Sequence, residues 1–217
     1  MLRMNFQSLI EELKYALDQP LPGLVTQLKM SSMRHIREIM KMPPDLNNAI
    51  PSSVLILLYP VPDGNDAGIA LIQRPFYDGV HGGQISLPGG RFELTDKDLL
   101  HTAIRESKEE IGLDPGILTI IGKISDLYIP PSNYIVTPFV GYCMEKPSFY
   151  LDPAEVDEII ELPVSKLMDD HHVTCKVIEV RGMQIDAPCF DINGHIIWGA
   201  TAMILNELKE ILRRFSL

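Results

Sequence analysis

Cysteine is scarce in this sequence, and its spacing argues against two kinds of stabilised fold. The 217 residues contain three cysteines, Cys143, Cys175 and Cys189, and no two of them form a CxxC pair. Disulfide frameworks and structural zinc sites need cysteines in larger numbers or at closer spacing. The pattern therefore predicts free thiols in a reducing compartment.

Long apolar runs are also missing. The strongest apolar stretch, residues 54–60, is far shorter than the about 20 residues that a membrane-spanning helix needs. Residues 6–17 mix Glu and Lys with apolar residues at helical spacing, which is not the pattern of a signal peptide. We therefore expect a cytoplasmic protein without a membrane partner.

Basic residues are fewer than acidic ones. Lys and Arg total 19 while Asp and Glu total 29, which gives a net charge of −10. A field of this sign repels polyanions, so the sequence does not predict a protein whose main partner is nucleic acid. A small anionic substrate remains compatible with it, because one divalent metal ion can reverse the local charge of an acidic site.

What is present is the composition of an ordinary globular protein, with 46% hydrophobic and 22% charged residues. We predict an N-terminal helical extension over residues 1–48 and a main domain over residues 49–217. In the extension, residues 5–17 place their apolar side chains on one helical face, and a second helical stretch runs to about residue 40. The extension can be a separate cap, a dimer arm or part of the substrate wall.

The main domain alternates strands with one central helix. Residues 54–59 and 69–73 predict a hairpin across a turn-rich connection. Periodicity predicts further strands at 117–124, 135–143, 173–180 and 196–198, and a last helix at 200–214. This order predicts an α/β fold in which a mixed sheet is packed between helices.

The central helix is acidic and follows two adjacent glycines. Thr95 or Asp96 is the expected cap, the helix runs to about residue 111, and Gly112 suits the position after its end. The helical repeat places one set of side chains on the buried face: Leu99, Leu100, Ala103, Ile104, Ser107 and Ile111.

Three carboxylates project beside this face. At about 100° per residue, Glu106, Glu109 and Glu110 fall within one narrow arc. They repel one another, and a hard divalent cation with oxygen ligands removes that repulsion. Gly89 and Gly90 allow a phosphate to approach the backbone closely, and they give the Gly90 carbonyl room to join the metal. A solvated acidic face is the alternative, but the ordered glycine loop, cap and carboxylates favour a metal site.

These residues resemble the Nudix box, written G-x5-E-x7-R-E-U-x-E-E-x-G-U, where U is a bulky aliphatic residue. Arg105-Glu106 and residues 109–113 match its second half. The stretch from Gly90 to Arg105 is one residue longer than the pattern, so Asp96 or Lys97 falls where the first Glu is expected. A second departure is a serine, at position 107, in place of the first U.

The flanking segments resemble the coenzyme A diphosphatase branch of the Nudix family. Its upstream signature reads L-L-T-x-R-[SA]-x3-R-x3-G-x3-F-P-G-G, and Arg74 and Gly83 occupy two of its positions. Gly79 stands where the signature has its second arginine. Residues 129–141 and 197–202 resemble the branch's segments beyond the box.

The resemblance implies the Nudix α/β/α sandwich with a mixed β-sheet, plus the N-terminal helical extension. It also implies hydrolysis of a P–O–P bond with Mg²⁺ or Mn²⁺. For this branch the substrate is coenzyme A or acyl-CoA, and the products are 3′,5′-ADP and (acyl-)4′-phosphopantetheine. The alternatives are another nucleoside diphosphate derivative (ADP-ribose, a dinucleotide or a nucleoside triphosphate) and a non-catalytic nucleotide-binding sensor. A homodimer is compatible with each of these functions.

The resemblance and the helical geometry together assign roles to five residues. Glu106 and Glu110 are the expected primary metal ligands, and Glu109 either completes the ligand set or helps to deprotonate the attacking water. Arg105 is expected to orient Glu109. Glu155 is the candidate acid from a loop beyond the box, although a Glu at a helix N-terminus has an equally good structural explanation.

The substrate-binding set follows from the same resemblance. Arginines are natural partners of phosphate groups, and the glycine loop adjoins the expected metal. The candidates are Arg74, His81, Gly83, Gly89, Asn133 and Tyr134.

Overall fold

The computed structural model describes residues 5–41, 46, 48–62, 66–75, 83–180 and 182–215. The helices in this part of the chain are α1 (Phe6–Leu17), α2 (Leu24–Gln27), α3 (Met33–Lys41), α4 (Leu99–Ile111), α5 (Val164–Met168) and α6 (Gly199–Arg213). The strands are β1 (Ile50–Pro60), β2 (Ala67–Gln73), β3 (Ile85–Ser86), β4 (Gly89–Arg91), β5 (Thr119–Lys123), β6 (Leu127–Ile129), β7 (Tyr134–Tyr142), β8 (Glu158–Pro163), β9 (Val173–Val180), β10 (Met183–Ile192) and β11 (His195–Trp198).

A mixed sheet forms the centre of the molecule. Its main path runs in the order β3-β2-β1-β7-β5, with β4 on β1, β6 on β7 and β8 on β2. Strands β1 and β7 are parallel, whereas β1 and β2 form the predicted antiparallel hairpin. A second sheet has the order β11-β10-β9.

The two faces of β1 bury alternate side chains in two separate cores. Leu55, Leu57 and Tyr59 pack with residues of α4, whereas Ile56 and Leu58 pack with residues of α1 and α6. Successive side chains of a strand point to opposite faces, so a strand buried on both sides reads as a continuous apolar run. The sheet therefore lies between helical layers, and the predicted α/β/α sandwich is confirmed.

Helix α4 begins later than predicted. Its N-cap is Asp98, whose carboxylate accepts a hydrogen bond from the His101 N–H at 2.8 Å. Neither Thr95 nor Asp96 caps it. The helix ends as expected at Gly112, which has a left-handed φ of 66°. The buried face is also rotated, because Leu99, Leu100 and Ile104 are only half-buried while Thr102 and Glu110 are buried.

Several strands are absent from the prediction. These are β3, β4 and β6, which are only two or three residues long, and the longer β8 and β10. The short strands carry no measurable period, since a two- or three-residue segment shows no alternation. The long β10 pairs with β9 over eight residues and is therefore specified by its partner.

The N-terminal helices pack against the rest of the chain. Ile10, Leu13 and Ala16 of α1 belong to the same buried cluster as the inner face of α6. The apolar face that a dimer arm would need is therefore used within the chain. Helix α1 begins where the sequence predicts, with Asn5 as its cap.

A buried carboxylate joins this segment to α6. Glu207 is fully buried, and its two oxygens accept hydrogen bonds from the Gly23 N–H at 3.0 Å and from Gln27 Nε2 at 2.7 Å. Beside it, Asn206 Nδ2 donates to the Thr26 carbonyl at 2.8 Å. Apolar packing and these polar contacts together fix the segment on the domain.

Among the described residues, no helix has the length and apolarity needed to cross a membrane.

We expect Glu207→Ala to lower the free energy of unfolding by about 1–4 kcal/mol, because the buried Gln27 amide and the part-buried Gly23 N–H lose this acceptor, and a lost buried partner costs roughly 1–3 kcal/mol. Urea unfolding followed by far-UV circular dichroism measures the change. Glu210→Ala is the matched control on the same helix, since Glu210 is part-buried and pairs with the partly exposed Arg213. Equal stability of the two variants would show that the Glu207 contacts do not hold the N-terminal segment.

Candidate active site

Three carboxylates converge at the C-terminal half of α4. Glu106, Glu110 and Glu155 each offer an oxygen, and these atoms lie within 4.8 Å of one another. Glu106 and Glu110 are one helical turn apart. The side chain of Glu110 is 1% exposed and that of Glu106 is 15% exposed, whereas Glu155 is exposed. The cluster therefore has a buried side and an open side.

Glu155 reaches the cluster from the loop between β7 and β8. This loop is tied to the end of α4, because the Tyr150 N–H donates to the Ile111 carbonyl at 3.0 Å and the Asp152 N–H donates to the Glu110 carbonyl at 3.3 Å. A turn at Asp152 follows, in which the Glu155 N–H donates to the Asp152 carbonyl at 3.0 Å. No helix begins there, so the structural explanation by a helix N-terminus was wrong.

Both carboxylate oxygens of Glu110 are engaged. Oε2 accepts a hydrogen bond from the Gly89 N–H at 2.8 Å, and Oε1 lies 3.1 Å from Arg74 Nη2. The pKa of Glu110 is raised to about 7, mainly by burial and also by the charges of Glu106 and Glu155, while Arg74 and the Gly89 N–H act to lower it. Burial likewise raises the pKa of Glu106 above its usual range, against the lowering effect of Arg105.

Strand β4 brings the glycine pair against these acids. Gly89 pairs with Val54 and Gly90 with Ser53 on β1. A Cβ at Gly89 would overlap the Ser53 carbonyl, and a Cβ at Gly90 would overlap the Glu106 carboxylate. Gly89 also has a φ of 148°, which other residues rarely adopt. Only glycines allow the backbone to lie this close to Glu106.

Arg105 links a buried acid to the cluster. Its Nε and Nη2 donate to the two oxygens of Asp96 at 2.9 and 3.0 Å, while Nη1 lies 2.9 Å from both Glu106 Oε1 and Glu109 Oε2. The hydrogen bonds to Asp96 are the main reason that the pKa of Arg105 is raised above its ordinary value. Arg105 is therefore a fixed cation that contacts two acidic side chains of α4.

Asp96 is a site residue whose part in the site the sequence did not identify. Besides Arg105, its carboxylate accepts hydrogen bonds from Thr102 Oγ1 at 2.9 Å and the Glu93 N–H at 3.0 Å, and it lies 2.9 Å from His101 Nδ1. The Arg105 contact is the first reason that the pKa of Asp96 lies well below its usual range. The neighbouring Lys97 is exposed. Of the two candidates for the position of the first Glu in the box, Asp96 faces the arginine.

Glu109 lies beside the cluster and is not one of its three converging carboxylates. Its side chain is 53% exposed and contacts Arg105 at 2.9 Å. The predicted orientation of Glu109 by Arg105 is therefore present as a contact. Its role as a metal ligand or a base stays a prediction.

The remaining predicted substrate residues come from two segments of the chain, one before β4 and one at the start of β7. Gly83 closes the loop after Arg74, since its N–H donates to the Arg74 carbonyl at 3.1 Å. Asn133 has a left-handed φ of 54°, accepts a hydrogen bond from Tyr128 and donates one to the Asn48 carbonyl at 2.8 Å. Tyr134 follows it at the start of β7 and is half-buried. His81 lies outside the described residues.

The donor set fits a hard divalent cation. Magnesium and manganese prefer carboxylate and carbonyl oxygens, and the cluster supplies three carboxylates with a glycine backbone beside them. The cysteines of the chain are free thiols and lie elsewhere, so they do not offer a soft site here.

Comparison with known proteins finds relatives of this chain. The model of the NUDIX domain family matches residues 51–181. An uncharacterized Nudix hydrolase, NudL, of Photorhabdus laumondii is 32% identical over 130 residues, which cover 60% of this chain and 69% of that protein. The chloroplastic Nudix hydrolase 22 of Arabidopsis thaliana is 31% identical over 167 residues, which cover 74% of this chain and 55% of that protein. This chain thus spans little more than half of the plant relative.

A solved structure shares the fold. The Nudix hydrolase RenU of M. smegmatis has a TM-score of 0.54 and 17% sequence identity to this chain, over 78% of this chain and 89% of that one. At this identity the likeness concerns the fold alone.

We expect Gly90→Ala to weaken Mn²⁺ binding by roughly 10- to 100-fold, the usual effect of disturbing the support of a metal site. The added Cβ would overlap the Glu106 carboxylate and push it away from Glu110. The electron paramagnetic resonance signal of free Mn²⁺ measures the affinity. Gly116→Ala is the control, because its Cβ would meet only the Asp114 side chain. Unchanged Mn²⁺ affinity in Gly90→Ala would contradict a metal site beside Glu106.

We expect Asp96→Asn to make stability less dependent on acid pH. The folded-state pKa of Asp96 is depressed, so its stabilising effect is present above the ordinary value of about 3.9 and is lost as the pH falls below that value. Wild type should therefore lose more stability than the variant between about pH 6 and about pH 3, measured by urea midpoints. Asp18→Asn, at an exposed position after α1, should behave as wild type. The same loss in wild type and Asp96→Asn would refute the effect.

Proposed function

Since this chain belongs to the Nudix hydrolase family, we propose that it is a metal-dependent diphosphatase of coenzyme A or an acyl-CoA. Pyrophosphohydrolysis is the activity of that family, and divalent cations are its general cofactors. The single observation that carries the reaction type is the convergence of Glu106, Glu110 and Glu155 against the glycine pair of β4. The specific substrate is inferred from the segments around the box.

Glu106, Glu110 and Glu155 are the residues proposed to hold Mg²⁺ or Mn²⁺, with the Gly90 carbonyl beside them. When bound, the ion polarises a phosphoryl oxygen and lowers the pKa of water. Within the part of the chain that the structure describes, the cations paired with these carboxylates are Arg74 and Arg105, at the edges of the cluster. A divalent ion relieves their mutual repulsion, which supports this assignment.

Glu109 is the proposed acceptor for the proton of the attacking water. Its carboxylate is half exposed, and Arg105 holds it on the side of α4 that carries Glu106. Arg105 in turn is fixed by Asp96. A base needs a defined position before its pKa matters, and this chain of contacts supplies the position. Glu155 is the alternative base, since it is the exposed member of the cluster.

The phosphate-binding residues proposed here adjoin the cluster. Arg74 and the Gly89 backbone both contact Glu110, and Gly83 closes the loop that Arg74 begins. Asn133 and Tyr134, with His81, are proposed for the remainder of the substrate. The cytoplasm remains the proposed location, and the free state of all three cysteines is compatible with its reducing conditions.

A second candidate substrate class is another nucleoside diphosphate derivative, such as ADP-ribose, a dinucleotide or a nucleoside triphosphate. Gly79, in place of the second arginine of the coenzyme A signature, favours this class because one phosphate partner is missing. A non-catalytic nucleotide sensor is a weaker candidate, since Glu106, Glu109 and Glu110 are all retained.

We expect coenzyme A to be cleaved to 3′,5′-ADP and 4′-phosphopantetheine with a kcat/KM at least about tenfold above that of ADP-ribose, a dinucleotide or a nucleoside triphosphate. The four substrates are offered in parallel with Mg²⁺ and with Mn²⁺, and products are separated by chromatography. Preference for another substrate would discard the coenzyme A assignment and keep the reaction type.

The matched control for this assay is Glu110→Gln, which keeps the side-chain volume but removes the charge. Its turnover should fall by more than the roughly 10- to 100-fold that outer-shell changes produce. Near-normal turnover in a folded Glu110→Gln variant would contradict the metal assignment. If wild type cleaves none of the four substrates, the non-catalytic nucleotide sensor becomes the favoured function.

A further inference from the structure

Arg74 occupies a position in which it neutralises an acid that the metal also needs. Its Nη2 lies 3.1 Å from Glu110 Oε1 and 3.4 Å from the Gly89 carbonyl. The other oxygen of Glu110 accepts from the Gly89 N–H. Each oxygen of this buried carboxylate therefore already has a partner. A metal ion that approaches Oε1 meets the positive charge of the guanidinium already placed there, so the two cations compete for Glu110.

The two partners differ in how easily they can move. The Gly89 N–H belongs to β4, whose pairing with Val54 on β1 fixes it, and the adjacent Ser53 and Val54 leave no free space. Arg74 follows the end of β2, and its side chain is 28% exposed on a flexible stem. The guanidinium is therefore the partner that can leave.

We propose that Arg74 is a counter-cation which yields Glu110 to the metal and then binds the substrate's diphosphate. The inference rests on the proposed function, since it assumes a divalent ion held by Glu106, Glu110 and Glu155. In the metal-free protein Arg74 offsets the repulsion among the carboxylates. With the ion held there, two cations compete for one carboxylate, and Arg74 turns to the nearest anion that the open side of the cluster admits.

The consequence is a coupling between metal and substrate through one side chain. Arg74 bound to Glu110 opposes the metal and is unavailable to phosphate. When Arg74 binds phosphate instead, it no longer opposes the metal at Glu110. Binding free energies are linked reciprocally, so the metal raises the affinity for a diphosphate and the diphosphate raises the affinity for the metal. A fork of N–H donors suits this exchange, because it matches carboxylate and phosphate oxygens equally well.

A purely structural role for Arg74 leads to the opposite result. If Arg74 only held Glu110 in place, its removal would loosen a ligand and weaken metal binding. If Arg74 competes with the metal, its removal strengthens metal binding. The sign of the change in metal affinity, in the absence of substrate, therefore distinguishes the two roles.

The experiment measures Mn²⁺ affinity of the full-length, metal-free protein by electron paramagnetic resonance, without substrate. We expect Arg74→Gln to bind Mn²⁺ about fivefold or more tightly than wild type, at the lower end of usual coupling between sites. Arg74→Lys, which keeps a positive charge, should fall between the two. Thermal unfolding of each metal-free variant verifies that it is folded, and Arg74→Lys serves as the test variant if Arg74→Gln does not fold.

Arg91→Gln is the matched control, because it removes the same charge from the neighbouring β4 at an exposed position. It should change the Mn²⁺ affinity by less than about twofold, as expected for a screened surface charge. Equal strengthening in Arg91→Gln and Arg74→Gln would overturn the inference, because net charge would then explain both.

A second readout uses methylenediphosphonate, an analogue of diphosphate in which a methylene group replaces the bridging oxygen, so that water does not cleave it. In wild type, saturating Mn²⁺ should raise the affinity for this probe, and in Arg74→Gln the increase should be smaller. Equal or weaker Mn²⁺ binding by folded Arg74→Gln would overturn the inference while leaving the proposed function intact. Failure of wild type to bind Mn²⁺ at all would overturn both.

Discussion

Repulsion among acids held close together is the constraint on which the site depends. Glu106, Glu110 and Glu155 converge, and Glu110 is removed from water. Burial and like charges both disfavour the ionised form, so the fold must supply compensating groups. It does so with a backbone N–H from β4 and one arginine on either side. The glycine loop, the end of β2 and the start of α4 are all arranged around this one electrostatic requirement.

The compensation is built in layers of decreasing exposure. Arg105 contacts the acids of α4 from a partly buried position, and Asp96 behind it is buried with every oxygen hydrogen-bonded. A buried charge pair is stable only when its remaining donors and acceptors are satisfied, and Thr102 and the Glu93 N–H satisfy them. The arginine therefore arrives at the cluster already fixed, so little order has to be created when a ligand binds.

Local patterns were enough for the sandwich, the first hairpin, the C-terminal end of α4 and the extent of α1, because each is decided by residues close in sequence. Contacts between distant segments decided the rest. Thr95, Asp96 and Asp98 are equally good caps by residue type, and Asp98 caps α4 because Asp96 turns towards Arg105. Helical projection put Glu109 and Glu110 in one arc. A projection of one helix cannot show that the loop carrying Glu155 packs over the end of that helix.

Asp96 shows why a motif counted in residues and a site built in space can disagree. The stretch from Gly90 to Arg105 is one residue longer than the box pattern, so the expected acid falls at Asp96 when counted from Gly90 and at Lys97, an exposed lysine, when counted back from Arg105. The acid is present at the first of these positions, and its side chain is one methylene shorter than Glu. The turn in which the Asp96 N–H donates to the Glu93 carbonyl directs this shorter side chain inward, where both oxygens reach the guanidinium. The physical requirement is a carboxylate behind Arg105, and more than one spacing satisfies it.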